Sequence, residues 1–218
     1  MRHKHARTYH LPWSPGSTSD DKRHAEVESL FGGEEVVVLE KMDGENTTIY
    51  ADGFTHARSI DSGPHPSREK LRALAAWVGV VGVPETLRIC GENLHARHSI
   101  SYDALSAHFL AFSVYDGDQC LPWDEVVFWC DLLEVQHVPV LWRGTWDEAA
   151  VRACWTGRSV ASPGDEQEGY VVRLASGFRA ADWPTSSAKF VRAGHVQTGS
   201  HWMHESMVPN GLRRTRSG

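Results

Sequence analysis

An α+β domain built on antiparallel β-sheet is the fold class that the sequence predicts. Short β-prone runs recur between about residues 36 and 192, several of them ended by a glycine or by Asp-Gly. Helical spacing of apolar residues shows over 67–80, and two more helices are expected among them. Neither an internal repeat nor a clean linker divides the 218 residues, so one main domain is expected.

The elements follow in order. Residues 11–22, "LPWSPGSTSDDK", read as a Pro/Gly/Ser-rich loop, so 1–24 is expected to be an N-terminal extension and loop. "VVVL" at 36–39 and "TTIY" at 47–50 read as two successive strands, with Gly44 supplying the bend between them. "ADGFTHARSI" gives a turn at Asp52-Gly53 and a third strand. Leu71, Leu74, Ala75 and Val78 place an amphipathic helix over 67–80. "TLRICGEN" and "AHFLAFSVYDG" are strands, and helices are expected over 123–134 and 146–156. The second would open with a Thr145-x-x-Glu148 capping box. "EGYVVRL" and "SAKFVRA" are the late strands.

Composition narrows the function classes. Hydrophobic residues make up 41% of the chain and nine are tryptophan, ample for a packed core. No apolar run approaches the length that spans a bilayer, and "MRHKHARTYHLPW" lacks the apolar core of a signal peptide. The four cysteines form no C-x-x-C pair, which points to free thiols in a reducing cytoplasm. A net charge of −6 argues against coating long nucleic acid by bulk electrostatics. Positive charge is nevertheless clustered, at Arg2 to Arg7, Arg68 to Arg72 and Arg213 to Arg216. His95-x-x-His98 is the one histidine pair with ligand spacing, and it lacks matching cysteine or carboxylate partners.

The stretch "EKMDGEN" places Lys41 near the end of a strand, between Glu40 and Asp43. Such a lysine is most often a solvated edge charge. A lysine held among cations, or partly desolvated, has a lowered pKa and can attack an electrophile. Isolated polar residues recur in later strands, with Glu92 in "ICGEN", Glu168 in "QEGYVV" and Lys189 in "AKFVR". Each alone could be an outward-facing surface residue. Their occurrence in this order after K-x-D-G favours a shared site.

This series resembles the motifs of the covalent nucleotidyltransferase superfamily, in particular its ATP-dependent RNA ligases. "EKMDGEN" is similar to the nucleotidyl-lysine block, with Lys41 in the nucleophile's place. Arg58 in "HARSID" matches an arginine that follows it, and Gly91-Glu92 matches a strand ending in Gly-Glu. Phe112 in "FLAFSVYD" matches the aromatic that stacks on the base, Glu168-Gly169 the fourth motif and Lys189 the last. The resemblance runs from about residue 40 to 192. It departs in two places: Val191 stands where a second lysine is common, with Arg192 after it, and Ser113 follows Phe112 where aspartate is frequent.

What the resemblance implies is a nucleotidyltransferase (adenylation) domain over 25–195, of ATP-grasp-like antiparallel sheets flanked by helices. Residues 196–218 would form a short tail, too small for an OB-fold. Lys41 would attack the α-phosphorus of ATP, giving Lys–AMP and pyrophosphate. Lys189, with Arg58 or Arg192 and a bound metal, would favour the neutral amine and offset charge on the phosphate. Lys41 and Lys189 are thus the expected catalytic residues. Glu168 is the candidate for Mg²⁺ or Mn²⁺, which take oxygen ligands. Glu92 would accept from ribose hydroxyls, Glu40 would read the adenine edge, and Asn46 would orient phosphate or ribose. Stacking on Phe112 would contribute on the order of 1–3 kcal/mol.

The expected substrates are ATP and an RNA with 5′-phosphate and 3′-hydroxyl ends, without a membrane partner. A DNA ligase or a GTP-dependent capping enzyme is the nearest alternative, but both usually append an OB-fold. A non-catalytic sensor of RNA ends is the alternative of another class. It would have no need of a nucleophile.

Overall fold

The computed structural model describes residues 1–63, 65–194 and 207–213. In chain order the elements are β1 (Tyr9–His10), α1 (Glu28–Phe31), β2 (Glu35–Lys41), β3 (Glu45–Tyr50), β4 (Thr55–Ala57) and α2 (Glu69–Val81). There follow β5 (Leu87–Asn93), β6 (Phe109–Asp116), β7 (Gln119–Cys120), α3 (Trp123–Leu132), β8 (Val140–Thr145) and α4 (Glu148–Ala153). The last are β9 (Gly169–Leu174), β10 (Phe178–Arg179), α5 (Trp183–Ser186) and β11 (Ser187–Val191).

Two sheets carry the fold. One has the order β1-β11-β9-β2-β8 and the other β10-β7-β6-β5-β3-β4. Among the described residues every strand pairing is antiparallel except β1 with β11. The expectation of an α+β chain on antiparallel sheet holds.

The bend at Gly44 is not a hairpin. β2 pairs with β8 and β9, whereas β3 pairs with β4 and β5, so K-M-D-G is the crossover between the sheets. Gly44 is needed there for close approach, because a Cβ would lie 2.7 Å from the carbonyl oxygen of Asn93. This crossover is what puts Lys41 where both sheets can contribute to its surroundings.

Each sheet buries its outer face under helices. Leu71, Ala75 and Val78 of α2 and Trp123, Val126 and Cys130 of α3 join Ile49, Ile89 and Val114 in one core cluster. Val36 and Val38 of β2 pack with Phe31 of α1, Val151 of α4, Tyr170, Val172, Ala188 and Phe190 in a second. The alternation of strand residues leaves Leu39 and Lys41 on the opposite face of β2. Register then lines up Leu39, Val171 and Lys189, and one step along it Lys41, Gly169 and Val191. That inner face is where the site forms.

Three expectations need correction. β8 was not foreseen: it is a half-exposed edge strand that follows Pro139 and contains Gly144, so it shows no apolar alternation. Thr145 does not cap a helix, because it is the last residue of β8 and pairs with Glu35. The side chain of Asp147 is the cap, accepting from the Ala150 N–H at 3.0 Å, and α4 covers only Glu148–Ala153. Within residues 1–24, Tyr9–His10 form an edge strand beside β11 and Leu11 is fully buried.

The described part of the C-terminal segment is likewise docked. Asn210 is buried, accepts from the Tyr102 N–H and donates to the carbonyl of Leu94. The remainder of the expected 196–218 tail lies outside the described residues. The four cysteines are free and buried. No helix among the described residues is long and apolar enough to cross a membrane.

Candidate active site

A cavity of about 330 Å³ opens beside the K-M-D-G crossover. Glu40, Lys41, Asn46, Arg58, Glu92, Phe112, Glu168 and Lys189 all line it. Asn46 and Glu92 are cross-strand partners in the second sheet, so they share a face and enter the cavity from the side opposite Lys41 and Lys189. Arg192 is the one expected site residue not among them. Its guanidinium turns to Glu166 at 3.1 Å, and only its backbone N–H serves the site, donating to the Glu168 carbonyl.

The Lys41 Nζ lies 2.7 Å from both carboxylate oxygens of Glu168. Gly169 makes the approach possible: it pairs with Lys41 across the ladder, and a Cβ there would sit 2.0 Å from the Phe190 carbonyl oxygen. Burial alone would pull the Lys41 pKa down, but Glu168, Glu92 and Asp43 outweigh it and hold the ammonium form above its ordinary range. The expected surplus of cations around Lys41 is therefore not what the protein by itself provides. Burial raises Glu168 despite its partner, and pushes Glu92 up to about 8. We read the Lys41–Glu168 pair as ammonium and carboxylate, because contact with both oxygens uses two N–H donors and two acceptors.

Lys189 contrasts with Lys41. Burial and the nearby Lys41 charge draw it down to about 8, and its nearest carboxylate is Asp21 at 4.0 Å. Asp21 also stands 3.6 Å from His10 Nε2 and is fixed by Thr18, through its N–H and hydroxyl. Burial and the Lys189 charge lower His10 to about 4, so it is neutral at pH 7.

Glu40 is fully enclosed. One of its oxygens accepts from the N–H groups of Val160 and Ala161, both at 2.9 Å, and burial raises its pKa. It braces the 159–161 loop beside the cavity. Asp43 is also a brace: its Oδ2 accepts from Ser99 Oγ and the Ile100 N–H, both at 2.7 Å. Phe112 is half-buried with the His5 ring edge-on at 5.2 Å.

Sequence reasoning missed the N-terminal wall. Arg7, Tyr9, His10, Asp21 and Lys22 all line the cavity. Their one signal was the positive cluster from Arg2 to Arg7, which by itself reads as a solvated run. Conversely, Arg68 is spent on a two-point ion pair with Glu45, at 2.7 and 2.6 Å. His95 faces His108 and the Ser67 carbonyl.

Among the described residues no three His, Cys, Asp or Glu side chains are grouped as a metal site. Glu168 is buried and Glu92 half-buried, both raised by desolvation, and their oxygens suit a hard divalent ion that takes its other ligands from water or phosphate.

The family model described as RNA ligase matches residues 34–191. No curated protein matches the chain. Among solved structures, Naegleria gruberi RNA ligase with PPi is similar at 20% identity and a TM-score of 0.55, over 80% of this chain and 55% of that one. A mutant of the same ligase with ATP and Mn is similar at 19% identity and a TM-score of 0.55, over 76% and 52%. An apo mutant gives 19% identity and a TM-score of 0.56 over the same shares. The chain thus spans about half the length of these ligases, and at such identities they show a shared fold. The family match covers most of the chain, from before β2 to the end of β11: this chain belongs to the RNA ligase family.

Proposed function

We propose that the protein is an ATP-dependent RNA ligase that works through a Lys41–AMP intermediate. The observation that carries the reading is Lys41 at the sheet crossover, held on Glu168 in a cavity shared with Glu92, Lys189, Arg58 and Phe112. Membership of the RNA ligase family supports it, as do the ATP, Mn and PPi named for the similar structures. Residues 25–195 would then be the adenylation unit, of the nucleotidyltransferase type, with 1–24 as one wall of its site.

In this reading the Lys41 amine, after losing a proton, forms an N–P bond to the α-phosphorus of ATP, and the bond to the bridging oxygen breaks to release pyrophosphate. Lys189 donates to the phosphate while its charge balances the charge that builds there. Glu92 accepts from the ribose, and Phe112 offers its ring to the base. Glu168 is the residue that would hold Mg²⁺ or Mn²⁺. That ion would supply positive charge beside Lys41, favouring the free amine and neutralising phosphate oxygens. AMP then passes from Lys41 to an RNA 5′-phosphate, and a 3′-hydroxyl displaces it to seal the strand.

The test is transfer of labelled adenylate to matched RNA and DNA strands with 5′-phosphate ends, followed by sealing. The 2′-hydroxyl is the group by which a protein tells RNA from DNA. Deoxynucleotides at the 3′ terminus should slow sealing without changing Lys41 adenylation. Equal sealing of all-DNA and all-RNA strands would contradict the RNA assignment.

A further inference from the structure

The N-terminal segment is strapped across the cavity between the two sheets. Near its start, Arg2 pairs with Asp52 and lies over the Tyr50 and Phe54 rings, and the His3 N–H donates to the Tyr50 hydroxyl at 2.7 Å. Those anchors belong to the β3–β4 side. At the other end Tyr9–His10 pair with β11 of the first sheet. Between the anchors, the Trp183 indole N–H donates to the Thr8 hydroxyl at 2.9 Å, immediately beside Arg7. Arg7 is thereby held at the cavity wall by contacts on both sides of it.

Arg7 and Arg58 both line the cavity, and neither has an ion-pair partner among the described residues. The protein satisfies other arginines with carboxylates, as Arg68 with Glu45 and Arg192 with Glu166. Arg7 and Arg58 are instead both exposed and line the same cavity, and after burial the Arg7 charge is the largest cause that lowers the Arg58 pKa. Two like charges on a cavity wall, on a strap built to hold one of them, are relieved by a polyanion. Guanidinium forks match phosphate oxygens and stay charged at every working pH.

We propose that Arg7, together with Arg58, clamps the β- and γ-phosphates of ATP and so binds the pyrophosphate that leaves when Lys41 attacks. This rests on the adenylation reading and adds to it a residue from the strap. As the bond from the α-phosphorus to its bridging oxygen breaks, the electron pair stays with pyrophosphate. The clamp faces the group on which negative charge grows, which is where a preorganised cation accelerates the step. The same cations could instead take the 5′-phosphate of RNA, which is chemically similar, and the steps of the reaction separate the two.

The experiment compares Arg7→Ala and Arg7→Lys with the unsubstituted chain in three assays. The first is kcat/KM for adduct formation from α-labelled ATP. The second is the release of labelled ATP when isolated adduct meets pyrophosphate. The third is AMP transfer from isolated adduct to 5′-phosphate RNA, with adduct of the variants accumulated by long incubation at high ATP. The first two should fall by about 10- to 100-fold in Arg7→Ala, the loss expected of hydrogen bonds to a charged group, and less in Arg7→Lys. The third should keep its rate, which also reports an intact fold. Unchanged adduct formation, equal losses in all three, or a loss in RNA transfer alone would each overturn the proposal. Absence of an adduct in the unsubstituted chain would strike the adenylation reading itself.

Discussion

Lys41 and Glu168, 127 residues apart in sequence, meet with the ammonium nitrogen 2.7 Å from both carboxylate oxygens. The contact positions the lysine, and the carboxylates around it raise its pKa and so favour the ammonium form. An ammonium cannot attack. Under the proposed function, Lys41 would therefore need positive charge from outside the chain, in the substrate complex, before it reacts.

Replacing Glu168 by Gln keeps its volume and removes its charge. Removing the carboxylate frees the Lys41 amine but also removes the group that would hold the metal, and the second effect should dominate, so adduct formation should fall by roughly 10²-fold or more. The divalent-ion concentration for half-maximal rate should rise as well. A variant with the rate and Mg²⁺ and Mn²⁺ profiles of the unsubstituted chain would remove Glu168 from the site.

Lys189 makes a prediction in pH. Its folded-state value of about 8 is set by burial and by Lys41, with Asp21 and Glu168 pulling the other way and Arg58 adding to the decrease. Below that pH it is an ammonium and can bind phosphate; above it the charge is lost. The proposed reaction also needs Lys41 to lose its proton, and its raised pKa makes kcat/KM for adenylation, which reports the free enzyme, rise with pH until loss of the Lys189 proton levels it off above about 8. Lys189→Arg cannot lose its proton in this range, so the rise should continue past about 8 even where the rate is lower. A break near 8 that persists unchanged in Lys189→Arg would assign it to another group.

The motifs were legible because each is a polar residue in an apolar strand, and strand alternation alone sends it into a cavity or out to solvent. Glu92 and Lys189 are of this kind. The crossover at Gly44 was not legible, since a tight bend between two strands reads as a hairpin whether or not they pair. β8 hid behind Pro139 and Gly144, and the strap hid in a segment whose Pro, Gly and Ser content reads as loop. Ion-pair partners were the least visible, because they depend on long-range contacts. Glu45 claims Arg68, from one of the positive clusters, and Glu166 claims Arg192, a candidate for phosphate.

Asp43 of K-M-D-G should prove structural before it is chemical. Its Oδ2 accepts two bonds at 2.7 Å from Ser99 and Ile100, and its backbone N–H donates to the Tyr102 hydroxyl at 3.0 Å. Tyr102 in turn donates its backbone N–H to Asn210, tying the crossover to the C-terminal segment. Asp43→Ala should cost about 1.5–3 kcal/mol, the range for hydrogen bonds to a charged group. Urea denaturation should show this as a lower midpoint with an unchanged slope. An unchanged midpoint would mean that the 99–102 loop is held by other contacts.

Covalent labelling shows whether Lys41 carries AMP. The purified chain is incubated with α-labelled ATP and Mg²⁺ or Mn²⁺, denatured, digested and mapped. One acid-labile label is expected, on the peptide that contains Lys41, and none in a folded Lys41→Ala variant. A label on any other residue, or an equal label in Lys41→Ala, would contradict it.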